Sequence, residues 1–299
     1  MSAPRVFDRP LLRARRRRAA ALGASTFLLD RVADDLADRL AAVRRSFPIA
    51  IDLGTPTAAV QRMLGRSPAV GTVIAVDAVE GSLRQRSGLR VVAEEEALPF
   101  RDDSLDLVVS ALALQFVNDL PGTLAQVRRA LKPDGLFVAA LIGGDTLNEL
   151  RQSFAAAEAE TEGGASPRVA PFADVRSVGA LLQRAGFALP VTDVDRVLVR
   201  YGSPFALMDD LRRMGATNAL SERRRLPLRR ATLLRMAELY AARFADADGR
   251  IRATFEIVWL SGWAPHESQQ KPLAPGSAAR RLADALGTQE ISTGQKAER

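Results

Sequence analysis

The 299-residue sequence has no cysteine and a single histidine, His266. Without thiols there is no disulfide, no thiolate metal site, no iron–sulfur ligation and no cysteine nucleophile. That composition suits a reducing cytoplasm. One histidine excludes a two-histidine iron triad built within one chain and a histidine-rich zinc site. A Ser-His-Asp triad would have to run through His266, and no G-x-S-x-G elbow accompanies it. Long apolar runs are missing too. No stretch of about 18 apolar residues occurs, so no membrane span is expected. The amino-terminal stretch is arginine-rich and lacks an apolar segment, unlike a secretory signal.

Positive charge is plentiful but local. Residues 1–20 hold seven arginines and one acid, Asp8, so they carry +6 of the formal +7, and the rest of the chain carries only +1. An arm over residues 5–18 suits an acidic protein, an anionic membrane surface or nucleic acid, or is simply a solvated basic helix start. The near-neutral body gives no reason to expect a nucleic-acid partner. At 47% hydrophobic and 26% charged, the chain can build one large domain or a domain with a substantial insertion.

Hydrophobic periodicity organises the remainder. Phe27, Leu28, Val32, Leu36, Leu40 and Val43 recur at three-to-four spacing, with Ser25 or Thr26 as cap, which predicts a helix over 26–46. Short apolar runs follow at 49–53, 73–77, 89–93, 105–110 and 136–142, separated by helix-compatible stretches at 56–65, 79–87 and 120–131. Such alternation predicts a parallel sheet covered on both faces. Beyond Gly143 the pattern predicts helices over 146–162 and 175–185, a strand over 191–201, a helical insertion over 202–248 and a strand over 251–260. The two late strands would form a hairpin. The expected domains are a basic arm with a helix (1–47), an α/β domain (48–276) and a disordered tail (277–299).

In doubly wound sheets, ligands sit at the carboxyl ends of the strands. Here those ends carry acids: Asp52 with Gly54 after the first strand, Asp77 after the second, and Glu94, Glu95 and Glu96 after the third. An acid after the second strand can accept from two vicinal ribose hydroxyls, and one after the third can accept from an adenine amino group. Asp52 can orient its loop or accept from the amino group of an amino-acid tail.

The order DLG, VDA, EEEALPF, SLDLVVS and LKPDGLF over residues 48–142 resembles the class I S-adenosylmethionine-dependent methyltransferases. That resemblance implies a Rossmann-like, seven-stranded, mostly parallel α/β fold with a late antiparallel hairpin. It implies S-adenosylmethionine as cofactor, with Asp52 and Gly54 in the first motif, Asp77 at the ribose and Glu94 or Glu95 near adenine. The segments VFDRPLLRARRRRAA, FVNDLPGTL, GGDTLNELR, EGGASPRVAPF, ALMDDLRRMGATNAL and SGWAPHESQQKP resemble the mitochondrial complex I assembly factor 5 family and its bacterial relatives. By that resemblance the partner is the quinone-site iron–sulfur subunit of NADH dehydrogenase, and the reaction is hydroxylation of one of its arginines. A more distant relative is the malonyl-carrier-protein O-methyltransferase of biotin synthesis.

One stretch departs from the family pattern. In IAIDLGTPTAAV, Pro56 and Ala58 stand where the first motif usually has its second and third glycines. Proline fixes φ and lacks an N–H, although Pro56 fits the first turn of a following helix. Ala58 adds a methyl where the amino-acid tail would pass. The loop can still turn, but its cradle is altered.

Further candidates are Gln115, where a substrate-facing side chain often stands, and Asp145 and Glu149, which share a helix face and can meet a guanidinium or simply favour a helix N-terminus. Asp209 and Asp210 carry the same ambiguity. His266 reads as a packed loop residue or an acid/base. Trp259 and Trp263 read as core, as does the Met208, Leu211, Met214 stripe. No catalytic residue and no metal site are assigned. Three functions are consistent with the sequence: an arginine-modifying complex I assembly factor, an ordinary methyltransferase on a small molecule or a malonyl-carrier carboxylate, and a non-catalytic assembly chaperone with a degenerate cofactor site. Each would work in the cytoplasm or peripherally at the inner face of the cell membrane.

Overall fold

The computed structural model describes residues 5–270 and 282–289. In chain order the elements are α1 (Arg9–Leu22), α2 (Phe27–Ala41), β1 (Phe47–Leu53), α3 (Ala59–Arg66), β2 (Val70–Asp77), α4 (Glu80–Leu83), β3 (Leu89–Val92), β4 (Leu105–Ala111), α5 (Leu120–Ala130), β5 (Leu131–Ile142), α6 (Asn148–Glu162), α7 (Val175–Arg184), β6 (Ala188–Tyr201), α8 (Pro204–Arg213), α9 (Arg230–Phe244) and β7 (Ile251–Trp263). Seven strands form one sheet in the order β3-β2-β1-β4-β5-β7-β6. The first five are parallel, and β7 runs antiparallel between β5 and β6.

The near-continuous apolar runs are explained by burial on both sides. Along β4 and β5, Leu107, Val109, Leu136 and Val138 point into one core with α2, α3, α6, α8 and α9, while Val108, Phe137, Ala139 and Leu141 point into a second with α5 and α7. Strand order reverses between β1 and β4. In open α/β sheets that switch point is where ligands bind, so it sets the place to look.

Three details differ from the sequence expectations. The helix expected over 26–46 ends at Ala41. Its residues 42–46 lead instead into β1, whose Pro48 disfavours helical backbone just before it. The basic arm is not simply solvated: it forms α1, capped by Asp8, with Leu12 and Ala19 buried. Phe7 and Leu12 join Phe116, Ala219 and Leu220 in a small separate core. Most of the tail expected over 277–299 lies outside the described residues; within it Leu282–Leu286 is helical. Between β6 and β7 the chain forms α8 and α9, and the methionine stripe packs as core, with Leu211 buried and Met208 and Met214 partly so.

Candidate cofactor site

The acids at the strand ends do not share one environment. Asp52 is wholly buried and pairs with Arg86, whose Nη1 donates to Asp52 Oδ2 at 2.8 Å. The same guanidinium donates through Nη2 to the Thr55 carbonyl and lies 3.8 Å from Asp77 Oδ2. Burial pushes the Asp52 carboxyl up to about 6, against the opposing pull of Arg86. Asp77 is raised as well, by burial, with Arg16 the main opposing charge. Asp77 accepts from Val79 N at 2.7 Å and from Ser82 Oγ at 2.8 Å, which fixes its carboxylate at the start of α4.

The third-strand glutamates diverge. Glu96 turns away and accepts from the backbone N–H groups of Asn118 and Asp119. Glu94 and Glu95 turn toward α1, where Arg9, Arg13 and Arg16 lie at three-to-four spacing on one helix face. Arg9 pairs with both, reaching Glu94 at 2.8 Å, and Arg13 pairs with Glu94. Arg16 Nη1 lies 3.7 Å from Glu95 Oε1 and 3.5 Å from the Gly54 carbonyl. Glu95 is completely buried against Gly54, which has φ +70°. A Cβ at that glycine would stand 2.6 Å from Glu95 Oε1, so conformation and packing both require glycine.

A common property links these side chains. Among the described residues, the buried side-chain polar atoms without a hydrogen-bond partner are Arg9 Nε, Arg16 Nη2, Asp52 Oδ1, Arg86 Nε, Glu95 Oε1 and Gln115 Oε1. Buried polar atoms are nearly always paired, and unpaired ones call for an explanation. All six belong to residues at or over the carboxyl ends of β1, β3 and β4. The set mixes acceptors with cationic donors, which fits an adenosyl amino acid: hydroxyls and amino groups for the acceptors, a carboxylate for a guanidinium. The acids here are enclosed, since Asp52, Asp77 and Glu95 have at most 1% exposure. α1 lies over the third-strand acids through Arg9, Arg13 and Arg16.

Beside these acids lies an apolar cleft of about 980 Å³, including its open mouth. It is walled by α1, α2, the loop after β1 and the segment after α8. Pro56, Thr57, Gln115 and Arg16 line it, and no acid does among the described residues. Pro56 does not open α3, which begins at Ala59 with Thr57 Oγ1 accepting from Ala59 N at 3.3 Å. The N-cap is Ala58, with no side-chain capping bond, and Pro56 lies in the loop before it.

The remaining candidates have local partners of their own. Asp145 pairs with Arg196 of β6. Glu149 is buried and accepts from Thr254 Oγ1 at 2.5 Å and Thr254 N at 3.2 Å, tying α6 to β7. Asp209 pairs with Arg212 and Arg213, and Asp210 accepts from Tyr201 Oη. Trp259 is buried with Arg39 4.3 Å above its ring. His266 begins a separate unit and hydrogen-bonds locally to Ser268 and Gln269. The residues missed by the sequence reading are Arg86 and the α1 arginines. The spacing of Arg9, Arg13 and Arg16 on one face was a readable signal; Arg86 had none.

A methyltransferase-domain family model matches residues 51–139. The chain is 41% identical to the mitochondrial arginine-hydroxylase NDUFAF5 of Homo sapiens, over 91% of this chain and 81% of that protein. The Danio rerio protein of the same name is 40% identical over 93% and 89%. The malonyl-[acyl-carrier protein] O-methyltransferase of Laribacter hongkongensis is 35% identical over 90% and 94%. Among solved structures, a candidate methyltransferase of Bacillus halodurans aligns with TM-score 0.54 at 16% identity, covering 78% of this chain and 98% of that one, a likeness of fold alone. The chain therefore belongs to the class I S-adenosylmethionine-dependent methyltransferase superfamily, in the family of the arginine-hydroxylase NDUFAF5.

Proposed function

We propose that this protein serves the assembly of respiratory complex I by modifying an arginine of its quinone-site iron–sulfur subunit, with S-adenosylmethionine held at the carboxyl ends of β1–β3. The observation that carries the reading is the relationship to arginine hydroxylases along nearly the whole chain, including segments outside the cofactor-binding strands. Asp77 and Glu94 would hold the adenosine part and Arg16 the carboxylate, with Asp52, paired to Arg86, the acid nearest the ammonium. When bound, the cofactor supplies an electrophilic methyl group on a sulfonium. The protein's own part is to shield that group: α1 covers the acids, and Pro56 and Thr57 make the loop at the amino-acid end also a wall of the cleft. The work would be done on the cytoplasmic side of the membrane that carries the complex.

A second reading has its own support. The cleft offers a guanidinium no carboxylate, whereas its apolar lining suits an acyl chain. That favours methyl transfer to a carrier-bound carboxylate, the reaction named for the Laribacter relative. Peptide mass spectrometry of the iron–sulfur subunit, from cells with and without the gene, separates the alternatives. An added oxygen on an arginine that disappears with the gene supports hydroxylation, and an added methyl supports methylation there. An unmodified subunit with impaired assembly indicates a chaperone. An unmodified subunit with normal assembly favours the acyl substrate.

A further inference from the structure

Asp52 is the acid to which the ammonium of an adenosyl amino acid would come, and it already has a cation. Arg86 reaches it from the loop after α4, with 1% of its side chain exposed against 0% for Asp52. The pair is incompletely satisfied. Arg86 uses Nη1 on Asp52 and Nη2 on the Thr55 carbonyl, while its Nε has no partner, and the Asp52 carboxyl has the Thr55 hydroxyl as its other polar neighbour. A buried ion pair with unpaired atoms is poor structural glue, because desolvation offsets most of its attraction. It does hold one positive charge at one place: between the two acids that end β1 and β2, 2.8 Å from one and 3.8 Å from the other. The loop beside it is the one in which Pro56 and Ala58 replace glycine, and the Thr55 carbonyl that Arg86 binds belongs to that loop.

We propose that Arg86 is a specificity-determining residue for adenosyl ligands: its guanidinium takes the place of the ligand's α-ammonium at Asp52. A ligand that brings its own ammonium must displace Arg86 or sit beside a like charge. A ligand without the ammonium meets no such conflict. The adenosine part is directed to Asp77 and Glu94, and because Arg86 lies 3.8 Å from Asp77, any effect there is common to ligands with and without the ammonium. This rests on the reading that the site binds an adenosyl amino acid.

The test is calorimetric titration of the full chain with two probes, S-adenosylhomocysteine and its deaminated analogue, in which hydrogen replaces the α-amino group. In the unaltered protein the analogue binds at least as tightly as the parent. In Arg86→Gln, S-adenosylhomocysteine gains about tenfold in affinity relative to the analogue, since a relieved like-charge contact of roughly 1.4 kcal/mol corresponds to a factor of ten, while any change at Asp77 falls on both probes alike. Arg86→Lys, which keeps the charge, behaves like the unaltered protein. If Arg86→Gln does not fold, the order of the two probes in the unaltered protein still decides. A parent ligand about tenfold tighter than the analogue there, or an Arg86→Gln effect equal on both probes, overturns the proposal and leaves the cofactor reading intact. No binding of either probe to any folded variant overturns the cofactor reading, and this inference with it.

Discussion

Asp52 shows how a single carboxyl can report on the whole site. Burial raises its pKa from 3.8 to about 6, although Arg86 stands beside it and pulls the other way. The folded protein therefore holds the Asp52 proton more firmly than the unfolded chain. That contribution to stability is fully present below pH 3.8 and is lost as pH rises through about 6. A shift of this size corresponds to roughly 3 kcal/mol at order of magnitude. Asp52→Asn cannot titrate. The unfolding free energy of the native protein minus that of the variant should fall by a few kcal/mol between pH 4 and pH 7, measured by urea unfolding across that range. The absolute offset includes the unpaired Arg86 in the variant, so the slope rather than the offset carries the test. A flat difference would mean that Asp52 is ionised throughout and that the Arg86 pair dominates burial. Asp52 was legible as a strand-end acid because its signal is local: an apolar run, an acid, a glycine. Arg86 was not, because its role comes from a contact 34 positions away in the chain, which no periodicity encodes.

At the scale of elements, the strands were legible in place and order, with ends within about three residues except in β5, because burial on both faces makes each a short apolar block between polar turns. β5 begins earlier than its apolar run, at Leu131, because LKPDG is drawn into the ladder across a register shift opposite Leu105 and Leu107. α1 was half legible. Its charge was plain, but charge alone does not say whether a helix faces water or acids. The structure answers with two kinds of ion pair. The Arg9–Glu95 pair is buried, with side-chain exposures of 10% and 0%, while Arg13–Glu94 is open, at 28% and 37%. Salt screens exposed pairs far more than buried ones. Hydrogen exchange of the α1 amides should accordingly rise only modestly with added salt and strongly in Arg9→Gln, with Arg13→Gln giving a smaller effect that high salt abolishes. Equal effects of the two substitutions at low salt would mean that α1 is held by Phe7 and Leu12 rather than by its arginines.

At the scale of the molecule, folding changes what the basic arm can do. Seven arginines in residues 1–20 suggest a strong electrostatic tether. In the structure Arg9, Arg13 and Arg16 face Glu94 and Glu95, and Arg15 donates to the Asn218 carbonyl. Arg5, Arg17 and Arg18 remain exposed. No described helix is long and apolar enough to cross a membrane, so membrane contact through this region would depend on those three. Each basic residue near an anionic surface contributes ~1 kcal/mol, and stable electrostatic anchoring takes a cluster of more such residues. Three therefore give association that is measurable at low ionic strength and slight at physiological salt, where the screening length is about 8 Å. Co-sedimentation with phosphatidylserine vesicles should show binding at low salt that falls steeply by physiological salt and is removed by charge reversal at Arg17 and Arg18. Binding that survives physiological salt would mean that α1 leaves its acids for the membrane, freeing all seven arginines and opening the strand-end acids in the same movement. Cofactor entry and membrane contact would then be one event, and an adenosyl ligand should bind more tightly in the presence of the vesicles.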